Sequence, residues 1–131
     1  MIVAIGIDLV EISRIEEVLA RRGERFQSRV FTDGEIRYCE SRASSAASYA
    51  ARFAAKEAAM KALGTGWSGG TAWSDIEVVS GINGAPALEL RGRALERMRE
   101  IGVTRTHLSL SHSGTMAIAE VVLEVDEKTG Y

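Results

Sequence analysis

The sequence predicts a single α+β domain in which mostly antiparallel strands pack against one long helix. Three observations carry this expectation. Apolar runs of strand character open and close the chain, at residues 2–9 and 105–125. Between them, residues 44–63 form an alanine-rich stretch of helical length that ends on a glycine. No repeat or low-complexity linker divides the 131 residues, a length that suits one domain with a modest core.

Taken in order, residues 2–9 are β-branched and apolar and predict a buried strand. Ser13-Arg-Ile-Glu16 matches a capping box, Ile12, Ile15, Val18 and Leu19 recur at helical spacing, and Gly23 is expected to end that helix. A second box, Thr32-Asp-Gly-Glu35, predicts a helix to about Ser41. The long helix follows, with Gly64 in the position of a left-handed cap, and then a glycine-rich loop over 64–73 that carries Trp67 and Trp73. Asp75–Val79 and Ala87–Leu90 read as short strands about the turn 81–86, and Arg91–Ile101 as a helix stopped by Gly102. Two strands, near 105–111 and 116–125, close the chain around Ser-His-Ser-Gly-Thr. In the last, Ala117, Ala119, Val121, Leu123 and Val125 alternate with residues that include Glu120 and Glu124, as in a half-buried strand.

Composition excludes several classes. A net charge of −2 offers no broad basic surface for nucleic acid or membrane, and no apolar run reaches spanning length. Cys39 is the only cysteine, so no internal disulfide forms. The opening MIVAIGIDLV has neither a basic leader nor a cleavage signature, and a cytoplasmic location is expected. Basic charge is nonetheless concentrated in Arg14, Arg21, Arg22, Arg25 and Arg29, which suits an acidic partner.

The chemistry centres on RFAAKEAAMKALGTG, residues 52–66. At 100° per residue, Arg52, Lys56, Glu57 and Lys61 share one half of the helix and the alanines the other. One reading is a solvated face with a Glu57–Lys61 pair. The other is a phosphate site, with basic residues on the oxygens and Glu57 helping to hold magnesium, an ion that takes one or two protein carboxylates and fills its octahedron with phosphate and water. The second acid would be Asp8, costly to leave unpaired at the end of an apolar strand; alternatively it turns outward or bonds backbone amides at the strand-to-helix corner. A third element, Leu108-Ser-Leu-Ser-His-Ser-Gly114, is either a polar turn or a set of hydroxyl, imidazole and amide groups suited to phosphate. The chain has no GxSxG elbow, no GxGxxG and no GxxxxGK.

GIDLVEISRIE at 6–16, RVFTDGEIRYC at 29–39, RFAAKEAAMKALGTG at 52–66, NGAP at 83–86 and SLSHSGTMAIAEVVLE at 109–124 together resemble the small type of 4′-phosphopantetheinyl transferase, the holo-acyl-carrier-protein synthases. The resemblance runs through nearly the whole chain, and FxxKEAxxKAxGTG is its most specific part. It implies transfer of 4′-phosphopantetheine from coenzyme A to a serine of apo-acyl carrier protein in fatty acid biosynthesis, with release of adenosine 3′,5′-bisphosphate. By similarity, Asp8 and Glu57 coordinate Mg²⁺, Lys61 contacts the phosphates, and Arg52 with Ser111, His112 and Ser113 contacts the nucleotide's phosphate groups. Either Glu57 or a metal-held water takes the serine proton; the water is favoured, since a cation lowers a carboxylate's proton affinity. Arg14, Arg21, Arg22 and Arg25, with Phe26 as apolar anchor, would dock the acidic carrier. The resemblance also implies a homotrimer with active sites between subunits. A non-catalytic coenzyme A-binding domain would have no use for two carboxylates facing a diphosphate. The broad-specificity transferases resemble two such units in one chain.

Overall fold

The computed structural model describes residues 1–65 and 69–127. The elements run β1 (Ile2–Glu11), α1 (Ile12–Val30), α2 (Asp33–Glu40), α3 (Ser45–Leu63), β2 (Ile76–Ser80), β3 (Pro86–Leu90), α4 (Gly92–Glu100), β4 (Arg105–Ser113) and β5 (Met116–Glu124). β5 lies between β1 and β4 in a three-stranded antiparallel sheet, and β2 and β3 make a separate antiparallel pair. The expected α+β architecture is the observed one. Trp67 falls outside the described residues, and among those described no helix is long and apolar enough to cross a membrane.

The core forms where α3 crosses the sheet. Ala50, Ala54, Ala55, Ala58 and Ala59 of α3 are buried, as are Ala117, Ala119, Val121 and Leu123, the inward set of β5. Small side chains on both sides let the layers approach closely. The closest approach is at Gly6, where a Cβ would lie 1.9 Å from the Ala58 carbonyl oxygen, so only glycine fits there. Ala4, Gly6, Asp8 and Val10 of β1 turn toward this contact, while Ile5, Ile7 and Leu9 remain exposed on the outer face.

Two expectations at the helix ends are met in full. The Thr32 side chain accepts from the Glu35 amide at 3.2 Å and the Glu35 carboxylate accepts from the Thr32 amide at 2.9 Å, a complete capping box. Gly64 takes φ 70° and closes α3 in the left-handed conformation.

The first helix differs from expectation. It begins at Ile12, so Ser13 is already inside the helix and makes no cap; Glu11 is the N-cap and offers no side-chain bond. Nor does Gly23 end it. Arg22 leaves helical geometry (φ −136°, ψ 33°), and the chain then resumes as helix to Val30. The cause is tertiary packing: Phe26 meets Phe31 at 5.6 Å and Phe53 at 6.0 Å, and Phe31 meets Tyr49 at 4.9 Å, which fastens the second half of α1 to α3.

Candidate active site

The side chain of Asp8 reaches α3 because β1 lies against that helix. Along α3 the stripe Phe53, Glu57, Lys61, spaced by four, is not buried, whereas Arg52 and Lys56 are. The shared charged half of the helix therefore splits into two faces. Lys56 is fully buried and ion-paired to Glu35 at 2.8 Å, which corrects the reading that set it beside Glu57 to hold phosphate. The helical wheel gives angles about one axis; it does not reveal that α2 and the β2 segment cover the Arg52–Lys56 side.

On the Glu57 side, Lys61 donates to Asp8 Oδ1 at 2.7 Å and to the Ile7 carbonyl at 3.1 Å, pairing across to the strand instead of back to Glu57. Asp8 and Glu57 lie within hydrogen-bonding reach of each other. Burial raises the proton affinity of Glu57, and the Asp8 charge and the hydrogen bond between them raise it further; Lys61 and Arg14 only partly oppose this. The hydrogen bond to Asp8 holds the Lys61 ammonium above its usual value. A hollow of about 250 Å³ opens here, lined by Asp8, Arg14, Phe26, Phe53 and Glu57 among others. Phe53 is a wall residue that sequence reasoning passed over.

The pair suits a hard cation. Two carboxylates meet here, Glu57 with its proton affinity raised by burial and then by the Asp8 charge, and an ion between them would offset that charge. Among the described residues no group of three or more His, Cys, Asp or Glu side chains could cage a metal. Two oxygen donors with room for phosphate and water match Mg²⁺ rather than a thiolate- or imidazole-bound metal.

Arg52, Ser111 and His112 meet elsewhere, in a cleft of about 420 Å³ between α3, the β2–β3 turn and β4, whose walls include Ser80 and Pro86. Arg52 is 7% exposed, its guanidinium lies 3.8 Å from the Tyr38 ring centroid, and its Nε has no hydrogen-bond partner among the described residues. Tyr38 is a wall residue that the sequence marks only as an aromatic inside the α2 segment. Ser113 stands further along the hairpin, opposite Met116, and does not line this cleft. The hollow and the cleft share no lining residue among those described, so one chain presents them as two separate depressions.

The arginines of α1 divide similarly. Arg14 lines the Asp8–Glu57 hollow, while Arg22 and Arg25 line a groove of about 520 Å³ with Val18, Phe26, Ser28 and Arg29. Phe26 borders both hollows. Arg21 points away to an exposed pair with Glu17 at 3.1 Å.

Residues 4–119 match the family model of the 4′-phosphopantetheinyl transferase superfamily. The holo-[acyl-carrier-protein] synthase of Koribacter versatilis (strain Ellin345) is 48% identical over 124 residues, 95% of this chain and 99% of its own. That of Methylobacterium radiotolerans is 52% identical over 128 residues, covering 95% and 94%. Among solved structures, the holo-[acyl-carrier-protein] synthase of Neisseria meningitidis superposes with a TM-score of 0.85 at 32% identity, covering 95% of this chain and 99% of that one. The Helicobacter pylori enzyme in complex with coenzyme A gives 0.80 at 34% identity, covering 92% and 99%. The chain belongs to the 4′-phosphopantetheinyl transferase superfamily and groups with its holo-[acyl-carrier-protein] synthases.

Proposed function

We propose that this chain transfers 4′-phosphopantetheine from coenzyme A to a serine of apo-acyl carrier protein, releasing adenosine 3′,5′-bisphosphate. The single observation that carries the reading is the convergence of Asp8 and Glu57, distant in sequence, on one hollow beside Lys61. The serine oxygen bonds to the phosphorus that bears the pantetheine, the bond from that phosphorus to the bridging oxygen breaks, and the serine proton is released. Asp8 and Glu57 would hold Mg²⁺, which when bound offsets negative charge on the diphosphate and its leaving group. Lys61, more than half exposed, can swing its ammonium from Asp8 to a phosphate oxygen. Arg52, held against Tyr38, presents a fixed cation to the nucleotide phosphate together with His112 and Ser111.

The separation of the two half-sites supports assembly as a homotrimer, with the Asp8–Glu57 hollow of one subunit completed by the Arg52–His112 cleft of its neighbour. The surface available for that contact is the outer face of β1, where Ile5, Ile7 and Leu9 are 60%, 52% and 59% exposed, an apolar strip too continuous to leave in water. Arg14, Arg22 and Arg25 flank the hollow and would dock an acidic carrier, with Phe26 as the apolar anchor. Arg21 lies further out. The acyl carrier of fatty acid synthesis is the expected acceptor.

The test is to incubate the chain with apo-carrier, coenzyme A and Mg²⁺ and to weigh the intact carrier by mass spectrometry. Gain of one phosphopantetheine that requires Mg²⁺ is expected. An unmodified carrier, with the chain shown to be folded, would overturn the reading.

A further inference from the structure

Lys56 and Glu35 are each fully buried and sit at the junction of four segments. Glu35 accepts from Lys56 at 2.8 Å, from the Thr32 amide at 2.9 Å and from the Val78 amide at 2.8 Å. Lys56 donates to Glu35, to the Trp73 carbonyl at 3.1 Å and to the Ile76 carbonyl. An ammonium has three N–H groups, and all three are used inside the protein, so none is left for a phosphate. A buried ion pair gives little net stability compared with apolar packing, whereas removing one partner alone is costly.

Both half-sites lie one step from this pair. Trp73, whose carbonyl Lys56 holds, stacks its ring on Phe53 at 5.1 Å, and Phe53 walls the Asp8–Glu57 hollow. Val78, whose amide Glu35 holds, precedes Val79 and Ser80, which wall the Arg52–His112 cleft, and Ser80 pairs with Pro86 of the same wall. Lys56 itself lies between Arg52 of the cleft and Glu57 of the hollow on one helix.

We infer that Lys56, through Glu35, is a positioning residue for the coenzyme A site: it clamps the Trp73–Val78 segment to α3 and so sets both walls against which the nucleotide and its diphosphate are held. This rests on the transferase reading above. Removing the clamp loosens the walls without removing any group that touches the reacting atoms. The loss therefore falls on substrate binding and leaves turnover of bound substrate largely intact.

The experiment compares the full-length chain with Lys56→Met and Glu35→Gln, measuring kcat and KM for coenzyme A and for the carrier well below each protein's melting temperature. Both variants are expected to raise the KM for coenzyme A by about tenfold or more, with kcat within about threefold and the KM for the carrier unchanged. An effect of Lys56→Met without one of Glu35→Gln would assign Lys56 to the ligand and overturn the inference. Folded variants with lowered melting temperatures and an unchanged KM would also overturn it, leaving a purely structural pair, as would failure of both to fold by circular dichroism. Absence of turnover by the unmodified chain is a separate result, which overturns the transferase reading instead.

Discussion

Replacing Gly6 by alanine tests whether the close approach of β1 to α3 places the Asp8–Glu57 pair. The new Cβ would lie 1.9 Å from the Ala58 carbonyl oxygen, 2.9 Å from the Ala58 carbonyl carbon and 3.0 Å from the Ala62 amide nitrogen. All three are backbone atoms of a buried helix, so no side chain can rotate aside. Strand and helix must part by roughly 1 Å to bring the first contact to about 3 Å. Overpacking of this kind costs about 1–3 kcal/mol or somewhat more, a fall in Tm of roughly 5–15 °C for a chain of this size. Asp8 is two residues along the strand, and its partners Glu57 and Lys61 flank Ala58 on the helix. The same displacement thus separates the acidic pair, and a misplacement of about 1 Å costs on the order of 100-fold in rate. Thermal unfolding gives the first quantity. Phosphopantetheine transfer measured well below the lowered Tm gives the second. A Gly6→Ala variant with unchanged Tm and unchanged kcat/KM would show that the contact does not hold the site together.

Charge reversal of Arg22 and Arg25 to Glu is expected to raise the KM for the carrier and flatten its dependence on salt, while the KM for coenzyme A stays within about twofold; equal effects on both substrates would contradict the docking reading. Cys39 is fully buried, and burial is the main force lifting its thiol to about 12, so a thiol reagent at pH 8 should label it only after unfolding, as intact mass would show. Rapid labelling of the native protein would refute that burial. Burial alone would raise the Glu77 carboxyl, but hydrogen bonds from Thr32 and Arg91 and the nearby Arg91 and Lys56 charges outweigh it and hold Glu77 below the ordinary 4.5. The stabilisation is present above 4.5 and is lost as pH falls through the lower folded value, so Glu77→Gln should flatten the acid limb of stability against pH in urea titrations. Parallel curves for the two proteins would refute it.

Much of the fold is legible in the chain where local signals and burial agree. Thr32 and Glu35 satisfy each other's amides whatever packs around them, and Gly64 ends α3 because only a left-handed residue continues the path. The inward alternation of Ala117, Ala119, Val121 and Leu123 marks β5 in the same way. The failures occur where packing overrides the local signal. Gly23 lacks the power to stop α1 because Phe26, three residues later, has an aromatic partner, Phe53, on α3. At the site, Asp8 and Glu57 are found together because each is an acid in an otherwise apolar or small-residue setting. Lys56 is illegible for the opposite reason: its three acceptors come from α2, the Trp73 turn and β2, and no spacing within its own helix encodes them.

The most direct measurement is divalent-ion binding in the presence of coenzyme A, followed with Mn²⁺ as a paramagnetic probe in place of Mg²⁺, for the unmodified chain, Asp8→Ala and Glu57→Gln. The expected result is one ion per active site that both substitutions weaken by at least about 100-fold, since Asp8→Ala removes one carboxylate ligand and Glu57→Gln removes the negative charge of the other. Tight binding retained in both folded variants would contradict it, because the acidic pair would then not be what holds the metal.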